Sequence, residues 1–156
     1  MIVDLLRNDL GKTCAPGSIN VESLLEVETY STIHHLVSTI SGTLREEKNI
    51  FDLIYGCFPG GSITGVPKRR AMEIINELEP DPRSTYCGSV MYLSANGKMD
   101  SNIAIRTLKY CGGQMACWGG GGIVADSVWE QEYQEIYDKV GPFLKELNES
   151  FLSPHH

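Results

Sequence analysis

Glu132, Glu135 and Lys139 recur at i, i+3 and i+7, so on a helix they form one stripe that spans about 60° of arc. Two carboxylates one turn apart can offer oxygen ligands to Mg²⁺, a hard cation that keeps some of its waters and bridges to anionic groups. The same stripe also serves as a solvated face carrying a Glu135–Lys139 ion pair, and both readings stand at this point. Gly119-Gly120-Gly121-Gly122 lies just before it. Four consecutive glycines carry a backbone-entropy cost that a simple turn does not require, so something approaches this backbone closely. Either the amides of Gly120, Gly121 and Gly122 face an anion, or the run makes a bulge or tight crossing. Arg106 stands in Asn102–Leu108 (NIAIRTL), where strand alternation puts it on the face of Ala104 and Leu108. A charge on an inner face needs a partner, either a structural carboxylate or a ligand carboxylate gripped bidentately. The loop Pro59–Lys68 (PGGSITGVPK) runs into a helix start, where amides and dipole favour an anion and Thr64 can donate a hydrogen bond. Of His34 and His35, adjacent on a strand, only one can reach a given pocket. Tyr86 opens a strand and offers a phenolic hydroxyl or simply packs.

Two superficial motif matches fail on context. Gly60 and Gly65 have Walker spacing, but Val66-Pro67 stands where the Lys-Ser/Thr pair belongs. The run from Gly120 to Ala125 imitates a dinucleotide fingerprint, yet it follows hairpins late in the chain and opens no βαβ unit.

The elements that must position these residues follow from periodicity. Met1–Leu10 has helical apolar spacing, begins without an N-cap and stops at Gly11. Ser18–Glu28 and Thr32–Leu44 read as strands, Ile50–Phe58 as a short helix, and Pro67–Leu78 as an amphipathic helix closed by Pro80-Asp81-Pro82. Cys87–Ala95, Lys98–Tyr110 and Gln114–Trp118 read as three antiparallel strands joined at Asn96-Gly97 and Gly112-Gly113. Val128–Leu147 is the last helix, with Tyr133, Ile136, Val140, Phe143, Leu144 and Leu147 on one face. The pattern implies an α+β fold, mainly antiparallel strands with helices packed on one side.

The 156 residues can bury a core without disulfides or a structural metal. A hydrophobic fraction of 42% and a charged fraction of 21% are those of a globular chain. A net charge of −7 argues against nucleic acid and anionic membranes as partners, since both demand clustered cations. An acidic small molecule would have to be met by locally placed Arg and Lys, or by a metal held on carboxylates. Five cysteines without a C-x-x-C pair support neither a disulfide framework nor a zinc site, which reads as a reducing cytoplasm. No apolar run approaches the roughly 20 residues that span a bilayer.

Taken in order, MIVDLLRNDLG, HHLVSTISGTL, FPGGSITGVPKRRAMEIINELEP, YCGSVMYLSANGKMDSNIAIRTL and GGGGIVADSVWEQEYQEIYDKV resemble the chorismate-binding family across almost the whole chain. FPGGSITGVPK and MIVDLLRNDLG are closer in wording to the aminodeoxychorismate branch of that family than to the anthranilate branch, where GTLSGAPK is more usual. The resemblance implies residues 1–150 as the carboxy-terminal part of a chorismate-binding domain, a portion of the anthranilate-synthase-like two-sheet α/β sandwich. Residues 151–156 would then be a tail, with Pro154-His155-His156 native or a tag remnant.

It further implies Glu135 as a Mg²⁺ ligand with Glu132 its neighbour. Lys139 and Arg106 would be the holders of substrate carboxylates, with Tyr86 and the amides of Gly120, Gly121 and Gly122 completing the grip. Thr64 would contact substrate, and His35 would face the ring near the departing hydroxyl. Ammonia would come from a glutamine amidotransferase subunit. In family members a P-I-K-G-T type motif with a nucleophilic lysine, a further metal-site glutamate and the acid assisting hydroxyl departure precede this segment. The chain is therefore expected to hold only part of a pocket and to be inactive in isolation. Edge strands left exposed would favour a homodimer. The competing expectations are the anthranilate-type enzyme of the same family and a non-catalytic module that binds an acidic metabolite.

Overall fold

The structure, a computed structural model, describes residues 1–31 and 34–152. Thr32 and Ile33 of the expected second strand, and the expected tail beyond Leu152, lie outside the described residues. The chain divides into two compact units, residues 1–82 and 83–156. It is an α+β chain in which every described strand pair is antiparallel.

The first unit opens with helix α1 (Ile2–Gly11), which begins without a side-chain cap, as its sequence implies. It ends at Gly11, whose carbonyl a helix end leaves without a partner; the Arg45 guanidinium donates to it and to the carbonyl of Cys14 beyond. Strands β1 (Asn20–Thr29) and β2 (His34–Ser41) form a hairpin whose register shifts twice between Val21 and Glu26. At this bulge Leu25 takes a positive φ of 53° and its amide donates to Ser38 Oγ. Helix α2 (Ile50–Cys57) starts with a reciprocal cap. Asn49 accepts from the amides of Phe51 and Asp52, and the Asp52 carboxylate accepts from the Asn49 amide. A 3-10 turn (Gly61–Ile63) leads to helix α3 (Lys68–Leu78). Helix α1 packs against α2, the 3-10 turn and β2, and the buried residues Asp9, Thr13 and Cys14 lie at that junction.

Among its described residues the second unit contains four strands, not three. The hairpin β3 (Ser89–Leu93) with β4 (Met99–Ile103) is followed by a separate hairpin, β5 (Leu108–Cys111) with β6 (Gln114–Cys117). The expected long strand Lys98–Tyr110 is broken at 104–107. Ala104 exchanges backbone hydrogen bonds with Cys87 and Gly88 while the Ile105 amide folds back onto Ile103 O, and this reversal ends the ladder. Helix α4 (Trp129–Leu147) passes through Pro142 and continues into a π-helical turn (Asn148–Leu152). Among the described residues of this unit the buried apolar ones are Cys87 and Ala104.

Candidate functional site

The second unit brings the α4 stripe and the glycine run together. A Cβ on Gly119 would lie 2.8 Å from Val140 Cγ1 and 3.0 Å from Ile136 Cγ2, so α4 crosses this backbone at a distance only glycine allows. A Cβ on Gly120 would fall on the Tyr86 hydroxyl. One on Gly121 would lie 3.0 Å from Glu132 Oε2 and 3.9 Å from both Glu135 Oε2 and Lys139 Nζ. A Cβ on Gly122 would meet nothing within 4 Å among the described residues. The close approach expected of the run is therefore that of α4 and Tyr86 upon Gly119, Gly120 and Gly121.

Each polar group of the cluster has a definite setting. Lys139 Nζ donates to Gly120 O at 3.0 Å and pairs with Glu135, so the i, i+4 ion pair is formed and also faces the glycine backbone. The Tyr86 ring lies parallel to Trp118, with centroids 6.5 Å apart, and Arg83 stands over it at 5.8 Å. Glu132 is the asymmetric member. Its Oε1 accepts from Ser127 Oγ at 2.6 Å, while its Oε2 is buried and has no hydrogen-bond partner among the described residues.

A buried carboxylate oxygen without a donor is unfavourable unless something else neutralises it. Two glutamates one turn apart, one with such an oxygen, fit a hard divalent cation such as Mg²⁺. Among the described residues no group of three or more His, Cys, Asp or Glu is placed to hold a metal, so Glu132 and Glu135 are the carboxylates that those residues bring to this point.

Arg106 requires correction. It is not in a strand sharing a face with Ala104 and Leu108; it sits on the turn between β4 and β5, exposed, with φ at 49°. Ala104 is buried, but the alternation that would have carried Arg106 inward stops at the Ile105 reversal. Arg106 forms no ion pair among the described residues.

In the first unit His35 is exposed on β2, edge-on to Tyr30 at 5.8 Å, and His34 Nδ1 lies 3.1 Å from Thr29 Oγ1. Thr64, expected as a donor to a ligand, donates its hydroxyl proton to Gly60 O at 2.9 Å, leaving its oxygen to accept. This unit also has a cleft of about 920 Å³ along α2 and α3, lined by Lys12, Tyr55, Phe58, Lys68 and Met72 among others.

Beside that cleft lies the buried charge that sequence reasoning passed over. Asp9 is 3% exposed and accepts from Lys12 Nζ at 2.8 Å, Lys68 Nζ at 2.7 Å and the Gly61 amide at 2.9 Å. Burial works to raise its pKa, but the bonds from Lys12, Lys68 and Gly61 outweigh burial and hold the carboxyl below its ordinary value. A signal existed: at 100° per residue Asp9 projects between Ile2 and Leu5, an acid inside the apolar arc of α1. Ser127 was likewise overlooked, since its importance depends on where Glu132 folds.

The chorismate binding enzyme family matches residues 1–145. The chain is 56% identical over 147 residues to aminodeoxychorismate synthase component 1 of Escherichia coli, covering 94% of this chain and 32% of that relative. It is 45% identical over 150 residues to anthranilate synthase component 1 of Acetivibrio thermocellus, covering 96% of this chain and 30% of that one. The chain thus spans about a third of the length of these curated relatives. Among solved structures, anthranilate synthase component I of Streptococcus pneumoniae superposes with a TM-score of 0.76 at 40% identity, over 89% of this chain and 32% of that one. A Bacillus anthracis protein assigned as a 2,3-dihydroxybenzoate-specific isochorismate synthase shares the fold, with a TM-score of 0.79 at 24% identity over 94% of this chain and 39% of that one. A match that runs through both units, from Met1 to Lys145, leads to one conclusion: the chain belongs to the family of chorismate binding enzymes.

Proposed function

We propose that this chain is part of an enzyme that converts chorismate and ammonia to 4-amino-4-deoxychorismate and water, on the route to p-aminobenzoate and folate. The observation that carries the reading is the 56% identity to an aminodeoxychorismate synthase component 1, together with the convergence of Glu132, Glu135 and Lys139 on Gly120 and Gly121. Ammonia would be delivered by a glutamine amidotransferase, as the designation of that relative as one component of a synthase suggests. The free thiols suit a reducing cytoplasm, and no helix among the described residues is long and apolar enough to cross a membrane.

In this reading Glu132 and Glu135 hold Mg²⁺, which when bound supplies positive charge beside a substrate carboxylate. Lys139, anchored on Gly120 O, presents its ammonium to the same carboxylate. Ser127 keeps Glu132 Oε1 occupied so that Oε2 points at the glycine run. Tyr86 and the amides of Gly120, Gly121 and Gly122 complete the anion grip, and Arg106, exposed on its turn, receives the second carboxylate. Thr64 accepts a hydrogen bond from a substrate hydroxyl, and His35 faces the ring where the hydroxyl leaves; the first unit carries both. The net reaction exchanges the ring hydroxyl for an amino group, with the departing oxygen leaving as water.

Calorimetry with chorismate and Mg²⁺ tests the binding half of this reading. Wild type is expected to bind weakly and Glu135→Ala not at all; equal heats from the two would overturn the site. Turnover by the chain alone with chorismate, ammonium and Mg²⁺ is expected to be absent. Anthranilate synthases at 45% identity make anthranilate formation the second reading. Product analysis, after the upstream portion of the family domain is supplied, separates an aminated non-aromatic ring from an aromatised one.

A further inference from the structure

We propose that Asp9 is a positioning residue: its carboxylate clasps both ends of the Gly61–Lys68 segment and so fixes Thr64, a role that rests on the reading of Thr64 as a substrate contact.

Among the described residues Asp9 is the one charged side chain that is buried. Its two oxygens divide the work. Oδ2 takes the Gly61 amide at 2.9 Å, at the start of the segment, and Oδ1 takes Lys68 Nζ at 2.7 Å, at its end. Lys12 Nζ, on the same Oδ1 at 2.8 Å, also donates to Gly56 O at 3.1 Å, which ties the end of α2 to the clasp. Both ends of the segment are therefore referred to one carboxylate on α1.

Thr64 is referred to the same point. Its hydroxyl donates to Gly60 O at 2.9 Å and its amide to Gly61 O at 3.4 Å, so its geometry is built on the residue pair that Asp9 anchors. The backbone comes in close at that anchor. A Cβ on Gly61 would lie 3.3 Å from Asp9 Oδ2 and 3.4 Å from Leu5 Cβ. Between Thr64 and Lys68 the chain passes Gly65 at φ 137°, a conformation that L side chains rarely adopt and glycine allows.

Stability alone is a poor account of this arrangement. Buried ion pairs are often matched or bettered by apolar side chains of similar volume, whereas a carboxylate with three directed donors specifies one geometry.

The test uses ¹⁵N-labelled chain in wild-type form and as Asp9→Asn, Lys68→Met, Thr64→Ala and Asp9→Asn/Thr64→Ala. Amide exchange at Gly61, the urea midpoint and a chorismate titration followed at residues near 64 are measured on each. In Asp9→Asn the Gly61 amide should exchange about tenfold faster or more while β1 and β2 amides are unchanged, as for a local opening. The chorismate Kd should rise about tenfold, as in Thr64→Ala, and the double variant should bind no worse than Thr64→Ala, because residues acting through one another are not additive. Lys68→Met leaves Asp9 paired with Lys12, so it keeps the fold if Asp9→Asn does not, and it should show a smaller loss of the same kind. Unchanged Gly61 exchange, losses that multiply in the double variant, or a lowered urea midpoint with chorismate binding intact would each overturn the clasp. Thr64→Ala that binds chorismate like wild type would instead remove Thr64 from the substrate site, while Gly61 exchange still reports whether the clasp exists.

Discussion

Glu132 shows how much of this site is decided by single atoms. Its i, i+3 relation to Glu135 is a local property of any helix and is legible in the sequence; which of its oxygens is occupied depends on Ser127 arriving from the preceding loop. Gly120 and Tyr86 give a test of the same tightness. Gly120→Ala is expected to lose about 1–3 kcal/mol of stability through overpacking. Adding Tyr86→Phe removes the oxygen in the way and should leave the double variant more stable than Gly120→Ala alone by urea denaturation. For Asp9 the sign of the pH dependence is fixed. Its folded pKa lies below the ordinary 3.8, so its contribution is fully present above that value and is lost as pH falls through the depressed one. Asp9→Asn should therefore flatten the acid limb of a stability–pH curve and leave its slope near neutrality unchanged. Around Asp9 only the acid in the apolar arc of α1 and Lys12, three residues on, were local; Gly61 and Lys68 lie 52 and 59 residues away, and nothing near Asp9 in the sequence names them.

The helices were legible as elements and the strands less so. α2 has its start written locally, with Asn49 and Asp52 capping each other, and Asn49→Ala should cost about 1 kcal/mol by thermal or urea unfolding. α1, α3 and α4 follow 3.6-residue periodicity to within a residue or so of the expected ends. The failure was the strand through Arg106. Ile103, Ile105 and Thr107 continue a β-favouring pattern, and nothing local announces that Ala104 will bond to Cys87 and Gly88 and turn the chain. Hairpin register was similarly hidden, since the shifts between Val21 and Glu26 are set by the opposing strand.

Across the molecule the apolar surface is the dominant fact. Val90, Met91, Tyr92 and Leu93 are consecutive in β3 and all more than 40% exposed, so neither face of that hairpin is covered. Val27 and Leu36 face solvent at 65% and 69% in the other unit. A chain spanning about a third of its relatives has apolar faces that, in a longer family domain, other segments can cover. Left uncovered, they should make the isolated chain self-associate. Its net charge of −7 opposes that, so sedimentation velocity should show association increasing as salt screens the repulsion. A single monomeric species independent of protein concentration and salt would contradict this.

What the sequence determined by itself was whatever depends on neighbours along the chain: the helices, the tight hairpin turns, the Glu132–Glu135–Lys139 stripe, and the family that the ordered motifs resemble. Tertiary structure alone decided which backbone the stripe meets, that Glu132 keeps one oxygen without a donor among the described residues, that Arg106 leaves its strand, and that Asp9 holds both ends of the Thr64 segment. The physical reason is range. Helical geometry repeats every few residues, whereas a buried charge is tolerated only by donors brought from distant positions, and their spacing is not written in the pattern around it.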